Sequence, residues 1–333
     1  MTTALILGAT GFIGGHVGLA ALRRGWELRG LRRDASAVGL LGAERIAWFI
    51  GNLDEPGSLE DALRGADLVF HAAAFYPSDG RHVSSQVAHA VRQMKNVLEA
   101  LQRAGSPPLV YTSSLSTIGR PPEGEDRLAD ERDVYIPGSL PRSAYYESKI
   151  AMETEVLRAA AAGMPATVVN PTTVFGPGDA QPTIGAVLIA LARGFGIVSL
   201  PGWLNIVDVR DVAEGHLRAA EGAGVRGQRY ILGGANLRIS ELMREVARRA
   251  NVPPPRAEIP AALLRVMVRI GERLPGASVL GNHLGAFEHW QPLNCSRAER
   301  ELGVRARPLD ATLTDALRWY EEHGALKRRT AVV

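Results

Sequence analysis

A chain of 333 residues, with 46% hydrophobic and 22% charged residues, has enough apolar side chains for a large core, which excludes a disordered protein. The formal net charge is only +3 and no block of five like charges occurs, so we expect no nucleic-acid partner. The only cysteine, Cys295, excludes a disulfide framework within the chain, and the eight histidines lack the spacing of a metal site.

The first predicted strand begins at residue 4, which leaves no room for a secretion signal with a basic and an apolar part. No run of residues approaches the roughly 18 apolar positions that a membrane-spanning helix needs. We therefore expect a cytoplasmic protein with no membrane partner.

A glycine-rich turn follows the first apolar run. Residues 4–7 are apolar, too few for a helix, and typical of a strand buried on both faces. The turn leads into a predicted helix over 12–24, and Gly8, Gly11 and Gly14 keep side chains away from the backbone N–H groups. Such a turn, together with the positive end of the helix dipole, is suited to a pyrophosphate. The residues predicted to bind a dinucleotide here are Gly8, Thr10, Gly11, Phe12, Ile13 and Gly14.

The second strand of the predicted βαβ unit, residues 27–31, is followed by Arg32 and Arg33. In NAD enzymes an acidic residue near this point bonds the ribose 2′-hydroxyl, whereas arginine accommodates the 2′-phosphate of NADP. We therefore favour NADP(H), with NAD(H) as the other possibility. Two arginines in an arginine-rich chain are also consistent with an ordinary solvated surface.

Further strands are predicted at 45–50, 67–71, 109–112 and 166–170, alternating with helices. In an open parallel sheet, ligands bind beyond the carboxyl ends of the strands. Residues at or just past these ends are therefore further candidates for cofactor contacts. They are Asn52, Leu53, Ala72, Ala73, Ala74, Thr112, Pro171, Thr172, Thr173 and Val174.

Two segments between these strands have contrasting patterns. Residues 84–104 carry apolar side chains at alternating steps of four and three, which predicts a long helix with a core-facing stripe. Residues 115–142 have no periodicity and contain several prolines and acidic residues. Because long stretches without periodicity are often functional loops, we interpret this one as a flexible wall over a substrate pocket.

Tyr145 and Lys149 stand four residues apart in a predicted helix that ends near residue 162, so their side chains project from one face. A phenol has a pKa near 10, but a nearby ammonium group favours the phenolate and lowers that pKa. Tyr145 is then able to exchange a proton with a carbonyl or alcohol oxygen, while the Ser114 hydroxyl stabilises charge on the same oxygen. An ordinary exposed helix pair is the alternative interpretation of Tyr145 and Lys149.

The pattern changes after the sixth strand. Helices are predicted at 184–193, 209–220, 239–250, 262–272 and 312–323, with short strands near 205–207 and 228–232. We predict a Rossmann-type, doubly wound α/β fold, with an NAD(P)-binding domain over 1–176 that carries the catalytic residues. A smaller, mixed α/β substrate-binding region is predicted over 177–333, with segments near 204–232 returning to the large sheet.

Four features together resemble an extended (atypical) short-chain dehydrogenase/reductase of the NAD-dependent epimerase/dehydratase type. They are the glycine turn, Ser114, the Tyr145-x-x-x-Lys149 pair and the stretch from Asn170-Pro171 to Gly176-Pro177. Later stretches resemble the dihydroflavonol-4-reductase-like branch and proteins labelled hopanoid-associated sugar epimerases.

The resemblance implies several roles for residues of this chain. Ser114 rather than Ser113 becomes the catalytic serine beside Tyr145 and Lys149, and Lys149 also bonds the nicotinamide ribose. Relatives dimerise through the helices that match residues 84–104 and 143–162, so the resemblance also implies a homodimer.

Three departures from the family pattern bear on cofactor and substrate. Leu204 stands where nucleotide-sugar epimerases typically carry an arginine for the diphosphate, and Arg32 is unusual among epimerases that retain NAD. Both departures disfavour a nucleotide sugar. Asn52 replaces an aspartate that contacts the adenine amino group, and its amide oxygen is able to accept the same hydrogen bond.

The first hypothesis is an NADP(H)-dependent oxidoreductase that reduces a ketone or aldehyde of a small, moderately apolar molecule, with Tyr145 as the proton donor. The alternative is an NAD-dependent nucleotide-sugar epimerase or dehydratase. A second alternative is a non-catalytic, dinucleotide-sensing regulator. The residues predicted to line the substrate pocket are Phe75, Tyr76, Ser114, Val174, Phe175 and Trp203.

Overall fold

A seven-stranded parallel sheet forms the centre of the larger part of the chain. The computed structural model describes residues 1–42, 45–77, 82–140, 143–182, 184–271 and 289–326. The sheet contains β1 (Thr3–Leu7), β2 (Glu27–Arg32), β3 (Ala47–Ile50), β4 (Leu68–His71), β5 (Leu109–Thr112), β6 (Ala166–Pro171) and β10 (Arg229–Leu232). The strand order is β10-β6-β5-β4-β1-β2-β3, and all neighbouring strands are parallel.

Helices cover both faces of this sheet, which is why its central strands β4, β5 and β6 are buried along their whole length and mostly apolar. On one face, α1 (Phe12–Arg23) packs against α6 (Val209–Arg218). On the other face, α3 (Val83–Arg103) packs against α4 (Ala144–Ala161), with the short α2 (Glu60–Leu63) beside α3. The predicted Rossmann-type, doubly wound α/β fold is confirmed.

A smaller region is built on a three-stranded mixed sheet, in the order β11-β9-β7. Its strands are β7 (Thr173–Phe175), β9 (Trp203–Asp208) and β11 (Ala235–Arg238), and β8 (Val198–Ser199) pairs separately with β12 (Ala257–Glu258). Its helices are α5 (Gly185–Ala192), α7 (Ile239–Ala250), α8 (Ala261–Gly271) and α9 (Leu309–Glu322). The predicted helix over 262–272 ends at Glu272, which lies outside the described residues.

The segments near 204–232 divide between the two sheets. β10 lies beside β6 in the large sheet, and α6 lies on α1, whereas β9 pairs with β7 and β11 in the smaller sheet. The chain therefore crosses between the two regions more than once, and a domain boundary after residue 176 stays a prediction.

The core-facing stripe predicted over 84–104 lies on α3. Met94, Leu98 and Leu101 are buried against the sheet and α4. The exposed large apolar side chains among the described residues lie outside both α3 and α4. A homodimer through these two helices stays a prediction.

The segment after Ser114 differs from the flexible wall expected from its sequence. Its described part, residues 115–140, is joined by a β-bridge between Ile118 and Val134 and by another between Ala129 and Leu293. The Glu131 carboxylate accepts a hydrogen bond from the backbone N–H of Ile231 at 2.9 Å. Because Ile231 lies on the edge strand β10, this contact satisfies a donor that the sheet leaves unpaired. The described part of the wall is therefore tied to the sheet edge.

No helix among the described residues combines the length and apolar character needed to cross a lipid bilayer. The longest described helix is α3, with 21 residues, and charged side chains such as Lys95 lie along it. The expected cytoplasmic location stays a prediction.

Candidate active site

The glycine turn brings three backbone segments into close contact. Gly8 has φ +90°, and a Cβ there would lie 2.6 Å from the backbone nitrogen of Ala73. A Cβ on Gly14 would collide with the carbonyl oxygen of Gly8, so α1 packs directly on the turn. Gly11 is the N-cap residue of α1. No side chain caps this end of the helix, and its first turn contains no acidic residue. The turn therefore leaves backbone N–H groups at a positive helix end, which fits the pyrophosphate of a dinucleotide.

Arg32 ends β2 with its guanidinium held against a neighbouring strand. Its Cζ atom lies 5.0 Å from the centre of the Trp48 ring, and Nη1 donates to the Ala37 carbonyl at 3.4 Å. Arg33 is exposed. The Asp34 carboxylate accepts hydrogen bonds from the backbone and hydroxyl of Ser36, both at 2.8 Å. The Arg32 guanidinium thus lies at the end of β2, and its charge also helps to lower the pKa of Asp34.

The other strand ends contribute mostly backbone and small side chains. Ala72 directly follows β4, and its N–H donates to the Leu7 carbonyl at 2.8 Å. The Asn52 amide oxygen accepts from the Asp54 N–H at 3.2 Å, while its neighbour Leu53 is half-buried. Residues 171–174 are buried, and the Thr172 hydroxyl is a buried group without a hydrogen-bond partner among the described residues.

The Thr112 hydroxyl forms a hydrogen bond inside the protein rather than facing a ligand. Its Oγ1 lies 2.7 Å from His216 Nε2, and His216 Nδ1 lies 2.8 Å from the Val212 carbonyl. Because a carbonyl only accepts, Nδ1 donates to it and Nε2 accepts from Thr112. A cofactor contact by Thr112 would therefore use its backbone.

Ser114 sits at the start of a 3₁₀ turn over Leu115–Thr117 that follows β5. Its hydroxyl accepts from the Ser116 N–H at 3.2 Å. Its carbonyl oxygen lies 3.0 Å from Thr117 Oγ1 and 3.2 Å from Asn170 Nδ2. Both the side chain and the backbone of Ser114 are thus held by neighbours.

Tyr145 comes from the first turn of α4, which begins after the capping residue Ser143. The Tyr145 hydroxyl forms a hydrogen bond with the Ser114 side chain. Burial and the Tyr76 phenol raise the pKa of Tyr145 above its ordinary value, and the Ser114 bond only partly opposes this. The direction is opposite to the lowered pKa expected from the sequence, because burial and the Tyr76 phenol outweigh the hydrogen bond from Ser114.

Lys149 lies one helical turn beyond Tyr145 and is 4% exposed. Burial lowers its pKa to about 8, while the negative charge of Glu153 opposes that change. Its charge also helps to lower the pKa of the buried His71 on β4. Ser114 and Tyr145 therefore meet from two elements, with Lys149 one helical turn further along α4, and their catalytic roles stay a prediction.

The predicted substrate residues have different surroundings. Tyr76 is 56% exposed and its ring stacks on Tyr145. Phe75 packs edge-on against His89 of α3, with 5.2 Å between ring centroids. Phe175 is 2% exposed within the core of the smaller region, so we assign it to packing rather than to substrate contact. Trp203 lies under the guanidinium of Arg238, 5.0 Å from its ring centre.

Aromatic residues absent from the sequence-based prediction lie beside Tyr145 or beside its neighbour Tyr146. Tyr146 packs edge-on against Tyr145 at 5.9 Å and bonds the Trp290 side chain. The Tyr135 hydroxyl lies 2.8 Å from His289 Nδ1. Tyr146 directly follows Tyr145 in the sequence, but Trp290 comes from the distant C-terminal segment, and no local pattern connects the two.

The parallel sheet, the glycine turn and the cluster of Ser114, Tyr145 and Lys149 are together features of Rossmann-type enzymes that use a nicotinamide dinucleotide. The sequence pattern of the NAD dependent epimerase/dehydratase family matches residues 4–233, and the chain belongs to this family. It is an oxidoreductase-type enzyme, and the predicted resemblance to extended short-chain dehydrogenases/reductases is confirmed.

Individual relatives cover nearly the whole chain. A Synechocystis sp. protein named as a candidate dihydroflavonol 4-reductase is 32% identical, over 97% of this chain and 95% of its own length. Sterol demethylase protein B of Methylococcus capsulatus is 29% identical, over 97% of this chain and 100% of its own. The crystal structure of PA4631, a nucleoside-diphosphate-sugar epimerase from Pseudomonas aeruginosa, is 27% identical with a TM-score of 0.83, over 98% and 99% of the two chains.

Proposed function

We propose that this protein is an NADP(H)-dependent oxidoreductase that reduces a ketone or aldehyde on a small, moderately apolar molecule. The observation that carries the proposal is the hydrogen bond between the Ser114 and Tyr145 side chains, with the buried Lys149 one helical turn away. Ser114 follows the carboxyl end of β5, and the glycine turn follows the carboxyl end of β1, so both lie at the same end of the parallel strands.

Ser114 and Tyr145 bind and protonate the substrate in this proposal. Both hydroxyl groups contact the substrate carbonyl oxygen. When bound, the nicotinamide supplies the hydride that the carbonyl carbon accepts. Tyr145 donates its phenolic proton to the oxygen, so that the C=O group becomes CH–OH and Tyr145 becomes a phenolate. Ser114 donates a hydrogen bond to the same oxygen as negative charge develops there.

The protonation states of the two residues suit this direction. Because burial raises the pKa of Tyr145, its phenol carries the proton to be donated at neutral pH. Because the pKa of Lys149 is about 8, its side chain is in the charged ammonium form in most molecules at neutral pH. That charge stabilises the phenolate that proton transfer leaves behind.

Arg32 supports the choice of NADP(H). Its guanidinium is stacked on Trp48 at the end of β2, so little side-chain freedom is lost when it binds a phosphate. Arginine pairs with phosphate through charge-assisted hydrogen bonds. An NAD-specific site would place a carboxylate at the position of Arg32 instead.

The aromatic side chains around Tyr145 support an apolar substrate with flat rings. Tyr76 and Trp290, one stacked on Tyr145 and one bonded to its neighbour Tyr146, provide flat surfaces for such a molecule. Leu204, where epimerases carry a diphosphate-binding arginine, packs against the apolar core of the smaller region. Two relatives carry the names of a dihydroflavonol reductase and a sterol demethylase protein, and both named substrates are ring molecules.

An NAD-dependent epimerase or dehydratase acting on a nucleotide sugar is the second candidate. The similarity to a structure described as a nucleoside-diphosphate-sugar epimerase favours it. Such an enzyme returns the hydride to the same substrate and therefore retains its cofactor. Release of NAD from the purified, denatured protein would support this second candidate over the first.

The test of the main proposal begins with fluorescence titrations of NADPH and NADH on the purified protein. Oxidation of the preferred cofactor is then followed against ketones, aldehydes and nucleotide sugars. We expect Tyr145→Phe to lower kcat by about 10²- to 10⁴-fold while NADPH still binds, because only proton transfer is lost. Tyr320→Phe is the matched control, since it removes a buried hydroxyl bonded to Asp179 in the smaller region. Unchanged turnover by Tyr145→Phe would refute the proposal.

A further inference from the structure

Four polar side chains are buried together behind the Ser114, Tyr145 and Lys149 cluster. We call them the buried quartet: Thr117, Glu153, Asn170 and Arg229, which are 2%, 4%, 0% and 5% exposed. They come from the 3₁₀ turn after β5, from α4, from β6 and from β10. Burying two charged groups in this way requires both to be paired.

The Glu153 carboxylate is the centre of the quartet. Its Oε1 lies 2.8 Å from Arg229 Nε in a buried ion pair. Its Oε2 accepts hydrogen bonds from Thr117 Oγ1 at 2.8 Å and from Asn170 Nδ2 at 2.7 Å. The Arg229 guanidinium also donates to the carbonyls of Thr117 at 3.0 Å and Glu131 at 3.1 Å.

The quartet reaches Ser114 through the backbone. Asn170 Nδ2 carries two hydrogens and donates to both the Glu153 carboxylate and the Ser114 carbonyl. The Thr117 hydroxyl has one hydrogen, which Glu153 accepts, while its oxygen lies 3.0 Å from the Ser114 carbonyl within the same turn. Displacing the carboxylate would release both the Asn170 amide and the Thr117 hydroxyl. The position of the Ser114 hydroxyl depends on this backbone, because Ser114 begins the short turn that ends at Thr117.

The quartet also reaches Lys149, through the helix. Tyr145, Lys149 and Glu153 follow one another at intervals of four residues on α4, so they share one face. The negative charge of Glu153 raises the pKa of Lys149 against the effect of burial. Among the described residues, the groups that also interact with this pair include Arg229 on β10, which contacts Glu153, His71 on β4, whose pKa Lys149 helps to lower, and Tyr111 on β5, whose pKa Glu153 helps to raise.

We propose that Glu153 is a positioning residue for the reaction: its carboxylate fixes the Ser114 turn through Thr117 and Asn170 and attracts the Lys149 ammonium. Arg229 holds that carboxylate in place from the edge strand β10. The inference rests on the proposed function, because it gives Ser114 and Lys149 their catalytic roles. A role in stability alone explains the pair poorly, since buried ion pairs are often no more stabilising than apolar side chains of similar volume.

The first experiment measures the Lys149 charge without any turnover. The chain has only three lysines, Lys95, Lys149 and Lys327, so NMR of protein labelled at lysine Cε gives few resonances to assign. We expect the resonance of Lys149 to titrate near pH 8 in the wild type. In Glu153→Gln it titrates at a lower pH, because the charge that favours the ammonium form is gone.

The matched control is Glu155→Gln, which removes a carboxylate two residues further along α4. Glu155 pairs with Arg158 and lies outside the quartet. The double variant Glu153→Gln/Arg229→Gln guards against misfolding, since it leaves no unpaired charge in the interior. In the double variant we expect the pKa of Lys149 to stay low, as in the single variant, while much of the lost free energy of unfolding is restored.

The second experiment follows turnover against pH with NADPH and the best carbonyl substrate. Glu153→Gln and the double variant lower kcat about 10- to 100-fold with little change in the KM for NADPH, because geometry rather than binding is lost. The loss of activity on the basic side begins at a lower pH than in the wild type. Thr117→Val lowers kcat but leaves unchanged the pH at which activity begins to fall on the basic side. Thr117→Ser keeps the hydroxyl and therefore keeps the wild-type kcat.

The outcomes separate the inference from the proposed function. An unchanged Lys149 titration in folded Glu153→Gln, or reduced stability with unchanged kcat and pH profile, overturns the inference. A wild-type protein that reduces no carbonyl compound overturns the proposed function, while the NMR titration still tests the link between Glu153 and Lys149.

Discussion

The ring of Tyr76 stacks on the ring of Tyr145, with 5.7 Å between the centroids and 19° between the ring planes. Tyr76 is 56% exposed, so it covers the Tyr145 phenol from the solvent side. The two residues come from the segment after β4 and from the start of α4, and the stack contributes both to burial of Tyr145 and to its raised pKa. The contact leads directly to a prediction about substrate binding.

Tyr76→Ala is expected to raise the KM for an apolar carbonyl substrate about 5- to 10-fold, since an aromatic pair contributes about 1 kcal/mol. It also lowers the pKa of Tyr145, because it removes both cover and the nearby phenol. Initial rates and the ultraviolet absorbance of phenolate against pH are the measurements. Tyr76→Phe is the control, because it keeps the ring. Equal KM values for the Ala and Phe variants would contradict the prediction.

Arg32→Ala tests the cofactor choice. We expect it to weaken NADPH binding about 10- to 100-fold and to leave NADH binding nearly unchanged, since the lost charge-assisted hydrogen bonds contribute about 1.5–3 kcal/mol. Fluorescence titration gives both dissociation constants. Arg29→Ala is the control on the same strand, because Arg29 bonds the carbonyl of Ala62 instead. A parallel loss for both cofactors would mean that Arg32 does not distinguish them.

Gly14→Ala tests the packing of the glycine turn. The added methyl group would collide with the Gly8 carbonyl oxygen, so we expect a loss of about 1–3 kcal/mol in the free energy of unfolding, and weaker dinucleotide binding. Urea denaturation and NADPH titration measure the two effects. Gly57→Ala is the control, because a Cβ at Gly57 meets nothing within 4 Å. Full stability of Gly14→Ala would show that α1 does not pack on the turn as described.

Acidification is expected to destabilise the protein through its buried histidines. Burial and the Lys149 charge lower the pKa of His71 to about 3, and burial lowers that of His216 to about 4. The unfolded chain takes up these protons near pH 6.5, before the folded chain does, so stability falls as the pH drops from about 6.5 toward 4. Each histidine contributes up to about 1.4 kcal/mol per pH unit in that range.

His71→Asn isolates one of these groups. We expect its urea midpoint to depend less steeply on pH between 6.5 and 4.5 than that of the wild type, because asparagine does not titrate. His323→Gln, at an exposed position on the surface, is the control and keeps the wild-type slope. Identical slopes for wild type and His71→Asn would show that His71 is not buried in its neutral form.

Much of the fold was predictable because its cues are local. The apolar run before Gly8, the stripe of Met94, Leu98 and Leu101, and the four-residue spacing of Tyr145 and Lys149 each depend on neighbouring residues only. The strands β7, β8, β11 and β12 were not predicted. The strands β7, β8 and β12 have only two or three residues, too short a stretch to show a period, and β11 contains the polar residues Asn236 and Arg238 rather than an apolar run.

The amino-acid sequence by itself determined the parallel sheet, the glycine turn and the placing of Tyr145 and Lys149 on one helix face, because strand and helix periods place those residues without reference to distant segments. Only the tertiary structure decided that Arg229 of β10 pairs with Glu153 of α4, and that Trp290 bonds Tyr146. It also decided the direction of the Tyr145 pKa. Burial and ion pairing depend on which remote segments meet, and that is fixed by packing of the whole chain.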